Sequence, residues 1–177
     1  MALENTKTEA NLKASFAGES QARNKYTYFA SQARKDGFEQ IAGIFEETAN
    51  HEKEHAKSAL KYLGGIGDTE VNLKAAIEGE SFEWTHMYKQ FEDEARQEGF
   101  DDIADWFKAV GKVEEEHERR YKALLKTVVE RQVFQRDTPK RWMCRNCGYV
   151  HEGKEAPLAC PACKHPQAFF EVKAESY

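Results

Sequence analysis

Val113-Glu114-Glu115-Glu116-His117 has a twin 62 residues earlier, Ala49-Asn50-His51-Glu52-Lys53-Glu54-His55. Both stretches contain Glu-x-x-His. On an α-helix, residues three apart lie about 60° from each other, so carboxylate and imidazole share a face. The neighbouring apolar residues decide where that face points. Ile41, Phe45, Thr48, Glu52, His55, Ala59 and Tyr62 follow one another at alternating spacings of four and three. Ile103, Phe107, Val110, Glu114, His117, Tyr121, Leu124 and Val128 do the same. This is the inward stripe of a bundle helix. A lone Glu-x-x-His on a charged helix is a solvated pair. Two copies in the middle of core stripes are not, because burying a carboxylate costs several kcal/mol unless it is paired or metal-bound.

The rest of the chain repeats around these stretches. Gly18-Glu19-Ser20 recurs as Gly79-Glu80-Ser81 at an offset of 61, and Tyr26 recurs as Tyr88 at 62. Ala33-Arg34-Lys35-Asp36-Gly37-Phe38 recurs as Ala95-Arg96-Gln97-Glu98-Gly99-Phe100, also at 62. The spacing predicts helices over about 8–36, 39–63, 72–98 and 100–130, with stops at Gly37 and Gly64-Gly65. Two related helix hairpins make an all-α four-helix bundle with approximate internal two-fold symmetry. Helical periodicity is lost from Arg131, and all four cysteines lie beyond it. We therefore expect two domains, a bundle over 1–134 and a small metal-stapled strand-and-turn domain over 135–177, with Pro139 in the linker.

Composition narrows the function classes. With 32% charged residues and a net charge of -5, nothing favours a nucleic-acid partner. No apolar run approaches the ~20 residues of a membrane span. Met1 to Ala10 is polar and acidic, without a signal-peptide core, so a cytoplasmic location is expected. In that setting four cysteines clustered between 144 and 163 point to a metal rather than to disulfides.

The inward stripes present Glu19, Glu52, His55, Glu80, Glu114 and His117. One Glu from each of two helices plus Glu-x-x-His from each of the other two is the ligand set of di-iron carboxylate bundles. Mixed oxygen and imidazole donors suit iron or manganese. Glu115 and Glu116 should face elsewhere. Glu83, three residues after Glu80, breaks the symmetry. It is either a surface acid or an additional carboxylate able to compete with His55 for one metal. Tyr26 and Tyr88 are either core aromatics or hydrogen-bond partners of the carboxylates. In the tail, Cys144-Arg145-Asn146-Cys147 and Cys160-Pro161-Ala162-Cys163 are two Cys-x-x-Cys knuckles, a strong tetrahedral signal. Thiolates bind zinc and iron alike, and spacing does not choose between them.

Over essentially its whole length the chain resembles the rubrerythrins. The bundle resembles their ferritin-like domain, and Cys-x-x-Cys-Gly-Tyr with Cys-Pro-x-Cys resembles their rubredoxin-like domain. The resemblance implies two non-haem irons held by Glu19, Glu52, Glu80, Glu83, Glu114 and His117, with His55 replacing Glu83 on one iron in the reduced state. It implies a further iron on Cys144, Cys147, Cys160 and Cys163, with zinc as a possible occupant in recombinant protein. The implied activity is reduction of hydrogen peroxide to water, with electrons drawn from a reduced-nicotinamide-linked chain through a donor such as rubredoxin or a reductase. Glu83, His55, Tyr26 and Tyr88 are then the candidate catalytic residues. The implied assembly is a homodimer or higher homo-oligomer, in which one subunit's rubredoxin-like iron approaches the other's di-iron site. An iron-handling ferroxidase with a zinc-ribbon tail is the competing expectation.

Overall fold

The computed structural model describes residues 3–175, so Met1, Ala2, Ser176 and Tyr177 of the expected domains lie outside the described residues. The chain forms α1 (Lys7–Lys35), α2 (Glu39–Tyr62) and α3 (Thr69–Phe82). A π-helical turn follows (Glu83–Met87), then α4 (Tyr88–Gln97) and α5 (Asp101–Val129). Strands β1 (Gln135–Cys144), β2 (Val150–Glu155) and β3 (Phe170–Val172) complete it. By compactness the chain divides into one unit ending at Asp68 and one beginning at Thr69. No helix among the described residues is long and apolar enough to cross a membrane.

The first unit is the α1–α2 hairpin. Its start is capped on both sides: the Thr6 hydroxyl accepts from the Glu9 N–H at 3.1 Å, while the Glu9 carboxylate accepts from the N–H of Asn5, the residue before the cap, at 2.6 Å. Thr6→Ala is expected to cost about 1 kcal/mol, read from the denaturation midpoint; an unmoved midpoint would show the cap to be idle. The hairpin turns at Gly37, whose φ of +85° disfavours a side chain, and the Phe38 N–H closes the helix end on the Ala33 carbonyl. Gly99 repeats this at φ +85°, with the Phe100 N–H on Ala95. Along the hairpin seam Ala30, Ala33 and Ala42 pack with Phe45, since only small side chains let two helices approach this closely.

In the second unit, α3, the π-turn and α4 together pack against α5. The repeat is visible in packing as well as in sequence. Tyr26, Phe29 and Phe45 form an aromatic triad with centroids 5.6–6.2 Å apart. Tyr88, Phe91 and Phe107 form its counterpart at 5.4–6.2 Å.

Two expectations are corrected here. The third helix starts at Thr69 rather than near Asn72, supported by the Glu70–Lys74 pair at 2.6 Å, and it is interrupted by the π-turn. Pro139 does not sit in a linker. It lies inside β1, between Gln135 and Lys140 where the register with β2 shifts, a position that tolerates a residue without an N–H.

The three strands form an antiparallel sheet in the order β2-β1-β3. Its small core is Trp142, Cys144, Ala156, Cys160 and Phe170. Trp142 is fully buried, and its indole N–H donates to the Gly153 carbonyl at 2.9 Å. So few residues form a marginal core alone, as small domains stapled by a metal do.

Candidate metal sites

Each hairpin gathers three ligands, two carboxylates and an imidazole, on one face. On the first, His55 Nδ1 lies 2.8 Å from Glu52 Oε2 and 3.7 Å from Glu19 Oε2. On the second, His117 Nδ1 lies 2.7 Å from Glu114 Oε2 and 3.5 Å from Glu80 Oε2. Within each trio the ligand atoms all lie within 4.8 Å of one another. Donors bound at about 2.1 Å at right angles on one metal are separated by about 3.0 Å, so the trios fit a divalent ion with oxygen and imidazole donors.

The protonation behaviour shows how closely the acids are set. The Glu19 carboxyl is pushed above its usual range, first by its hydrogen bond with Glu52 and then by desolvation. Glu52 is held below its range by that same hydrogen bond and by His55. Two carboxyls set this close cannot both ionise at no cost. Burial pushes Glu80 up, reinforced by its hydrogen bond with Glu114. A cation between such groups removes the conflict.

Glu83 opens the π-turn. It stands outside the Glu80/Glu114/His117 trio, yet its charge contributes to raising both Glu80 and Tyr88. The widened turn has a cause in the sequence. The repeat offset grows from 61 at Ser81 to 62 at Tyr88, so one extra residue enters the helix here and is absorbed as a π-bulge, a feature that recurs at functional sites. An unanticipated pair holds the turn in place. The Trp84 indole N–H donates to Glu118 Oε2 at 3.2 Å, and Glu118 Oε1 pairs with Lys122 at 2.8 Å. Glu118 is the buried charged residue among the described residues, its carboxyl held below the usual range chiefly by Lys122.

The Tyr88 hydroxyl is raised by burial and then by Glu83, Glu114 and Glu80, which places it among these acids. Tyr26 sits in the matching aromatic triad. Among the described residues neither hydroxyl forms a hydrogen bond with a carboxylate. Glu115 and Glu116 face away from the trio. Glu116 pairs with Arg119, and Glu115 lines an outer groove with Trp84 and Lys112.

In the tail the four sulfurs converge. Cys144 Sγ is 3.7 Å from Cys163 Sγ, and Cys147 Sγ is 3.6 Å from Cys160 Sγ. A tetrahedron with metal–sulfur bonds of about 2.3 Å has edges of about 3.8 Å, so the cage is of metal size and far wider than a disulfide. Each knuckle turns at a left-handed residue, Gly148 at φ +77° and Lys164 at φ +63°. The Cys144 and Cys160 side chains are buried, whereas Cys147 is exposed and Cys163 half-buried, so the cage has one open edge. The protons are unequally held. The His165 backbone N–H, with help from neighbouring thiols, brings Cys163 down to about 5. Cys147 is lowered by the Tyr149 backbone N–H, but the thiols around it and desolvation prevail and push it up to about 12.

Helix-borne carboxylate–imidazole trios and a thiolate cage in one chain define a metalloprotein of the carboxylate-bundle class with a second, sulfur-ligated site. The known proteins agree. The family model for rubrerythrin matches residues 10–125, and that for the rubrerythrin rubredoxin-like domain matches residues 142–171. A rubrerythrin of Porphyromonas gingivalis is 51% identical over 99% of this chain and 94% of its own length. One of Nitratidesulfovibrio vulgaris is 48% identical over 96% of each. A solved structure of nigerythrin in a partially reduced state shares 32% identity over 98% of this chain and 91% of its own, with a TM-score of 0.36. The chain belongs to the rubrerythrin family.

Proposed function

We propose that this chain is a peroxidase that reduces hydrogen peroxide to water. Glu19, Glu52, His55, Glu80, Glu83, Glu114 and His117 would hold two non-haem irons, and Cys144, Cys147, Cys160 and Cys163 a third. When bound, these irons supply the electrons that break the O–O bond. The observation that carries the reading is the thiolate cage with one open edge, in the same chain as two carboxylate–imidazole trios. Iron oxidation of the ferritin kind requires no thiolates, whereas a reductase fed by an external donor requires an entry point.

The residues divide the remaining work. Cys147 and Cys163 present the edge at which a donor docks. The carboxylates offset the cationic charge, and exchange between Glu83 and His55 would adjust it as the oxidation state changes. Tyr88, its phenol kept protonated by burial and neighbouring acids, would donate a hydrogen bond to a substrate oxygen. The proposal carries with it a reduced-nicotinamide-linked donor, either rubredoxin or a reductase, together with a homodimer and cytoplasmic protection against oxidative stress.

Glu83→Ala tests the reading. It is expected to keep the helices and the thiolate site while slowing donor-driven peroxide consumption by about 10- to 100-fold. Unchanged turnover would remove Glu83 from the reaction.

A further inference from the structure

Resting on the di-iron reading above, we propose that Trp84 and Glu118 are positioning residues for the bundle metals. Their contact fixes where the helix takes up its extra residue, and so keeps Glu83 turned toward the ion that Glu80, Glu114 and His117 hold. Neither residue binds that ion.

The extra residue enters between Ser81 and Tyr88, where the repeat offset grows from 61 to 62. The sequence alone allows it to be absorbed anywhere between them. The choice matters for Glu83. With the helix anchored at both ends, a bulge placed before or after a residue changes that residue's direction about the axis by about 100°. Glu83 shares a face with Glu80, three residues earlier, only when ordinary α-helical winding connects the two. The π-turn begins at Glu83, and the Tyr88 N–H reaches back five residues to the Glu83 carbonyl. The bulge therefore falls after Glu83, and the winding from Glu80 is kept.

Trp84 is the first residue past Glu83, and its side chain is held on two sides. The indole N–H donates to Glu118 Oε2 at 3.2 Å, and the Lys89 ammonium stands 5.3 Å from the ring centroid. Glu118 is tied in turn to Lys122 at 2.8 Å, and it hydrogen-bonds Ser81. Through this one carboxylate α5 grips the helix on both sides of Glu83, at Ser81 and at Trp84. Glu118 directly follows His117, so the grip and a metal ligand belong to the same turn of α5.

The first hairpin supplies the comparison. Its counterpart of Glu118, 62 residues earlier, is Ala56, which is buried as Glu118 is. A methyl group thus satisfies the packing at this position. An acid buried in its place must be stabilised by partners, and here they include an indole and an ammonium. The counterpart of Trp84 is Arg23 at the 61-residue offset or Ala22 at 62. α1 runs as unbroken α-helix from Lys7 to Lys35. The pair and the bulge occur together in one hairpin, and both are missing from the other.

Cobalt(II) titration of the metal-free full chain tests this, with thiolate-bound cobalt recognised by its charge-transfer bands and counted separately. The helices of the wild type should bind two ions per chain. Trp84→Phe keeps an aromatic side chain and removes the N–H. It should weaken one of the two ions by about 10- to 100-fold and change its ligand-field spectrum as Glu83→Ala does. Glu118→Ala should do the same. Glu118→Gln, whose amide oxygen still accepts from the indole, should stay near the wild type. Trp84→Phe added to Glu83→Ala should weaken binding no further, because the ligand it positions is already gone. Wild-type cobalt affinity and spectrum in Trp84→Phe, or an effect that adds to that of Glu83→Ala, would mark a purely structural contact and overturn the proposal. A wild type that takes cobalt at the thiolates alone overturns the di-iron reading and the inference with it. Should Glu118→Ala fail to fold, Trp84→Phe with and without Glu83→Ala decides the matter.

Discussion

Cys160→Ser is expected to abolish donor-driven peroxide turnover while leaving the anaerobically reduced protein able to consume peroxide once per chain. Cys160 is fully buried and lies on the closed side of the thiolate cage, 3.6 Å from Cys147 across it. Its own N–H donates to the His165 carbonyl and its carbonyl accepts from Lys164, so the knuckle backbone is fixed independently of the sulfur. Serine keeps that backbone and removes one soft donor of four, which is enough to lose iron selectivity and the one-electron couple. The trios on the helices are untouched, so their single reaction survives. Stopped-flow mixing with one equivalent of peroxide, followed by a steady-state assay with reduced donor, separates the two. Loss of the single reaction as well would contradict a relay role for the cage.

Trp142→Ala has the largest expected effect on stability, about 3–5 kcal/mol, confined to the tail. The indole is the largest fully buried side chain among the described residues, and it satisfies the Gly153 carbonyl from inside the sheet. Truncation leaves a cavity next to Cys144 and Phe170 and strands that carbonyl. A sheet of three short strands has little else to draw on. We expect the variant to release its thiolate-bound metal to a chelator far faster than wild type, with the helical circular dichroism unchanged. Equal release rates would show that the metal, not Trp142, organises this core.

Much of this was legible in the sequence because period and repetition act together. Glu52/His55 and Glu114/His117 announced themselves by lying on stripes that a solvated pair would not occupy, and the structure brings each to its Glu19 or Glu80 partner. The four cysteines were legible because Cys-x-x-Cys spacing already encodes the knuckle turn. Glu83 was less so. It was read at ordinary helical spacing from Glu80, whereas the structure places it at the mouth of a π-turn and outside the trio. The clue was in the numbers, since an offset that changes from 61 to 62 within a helix must be absorbed somewhere. Trp84–Glu118 was hidden for a different reason: Glu118 sits in a run of charges, and nothing in the sequence distinguishes the acid that meets an indole from those that meet water. Pro139 misled because proline marks linkers more often than irregular strand positions, and only the register shift of β1 shows which applies.

The most direct measurement is rapid mixing of the fully reduced, iron-loaded protein with hydrogen peroxide and, separately, with dioxygen, following the visible absorption of the ferric thiolate site. The account predicts that the colour appears rapidly with peroxide and slowly with dioxygen, with peroxide consumed in proportion to the electrons released. If no thiolate colour forms while the helical site is oxidised, the cage carries no electrons to peroxide and the peroxidase reading is contradicted.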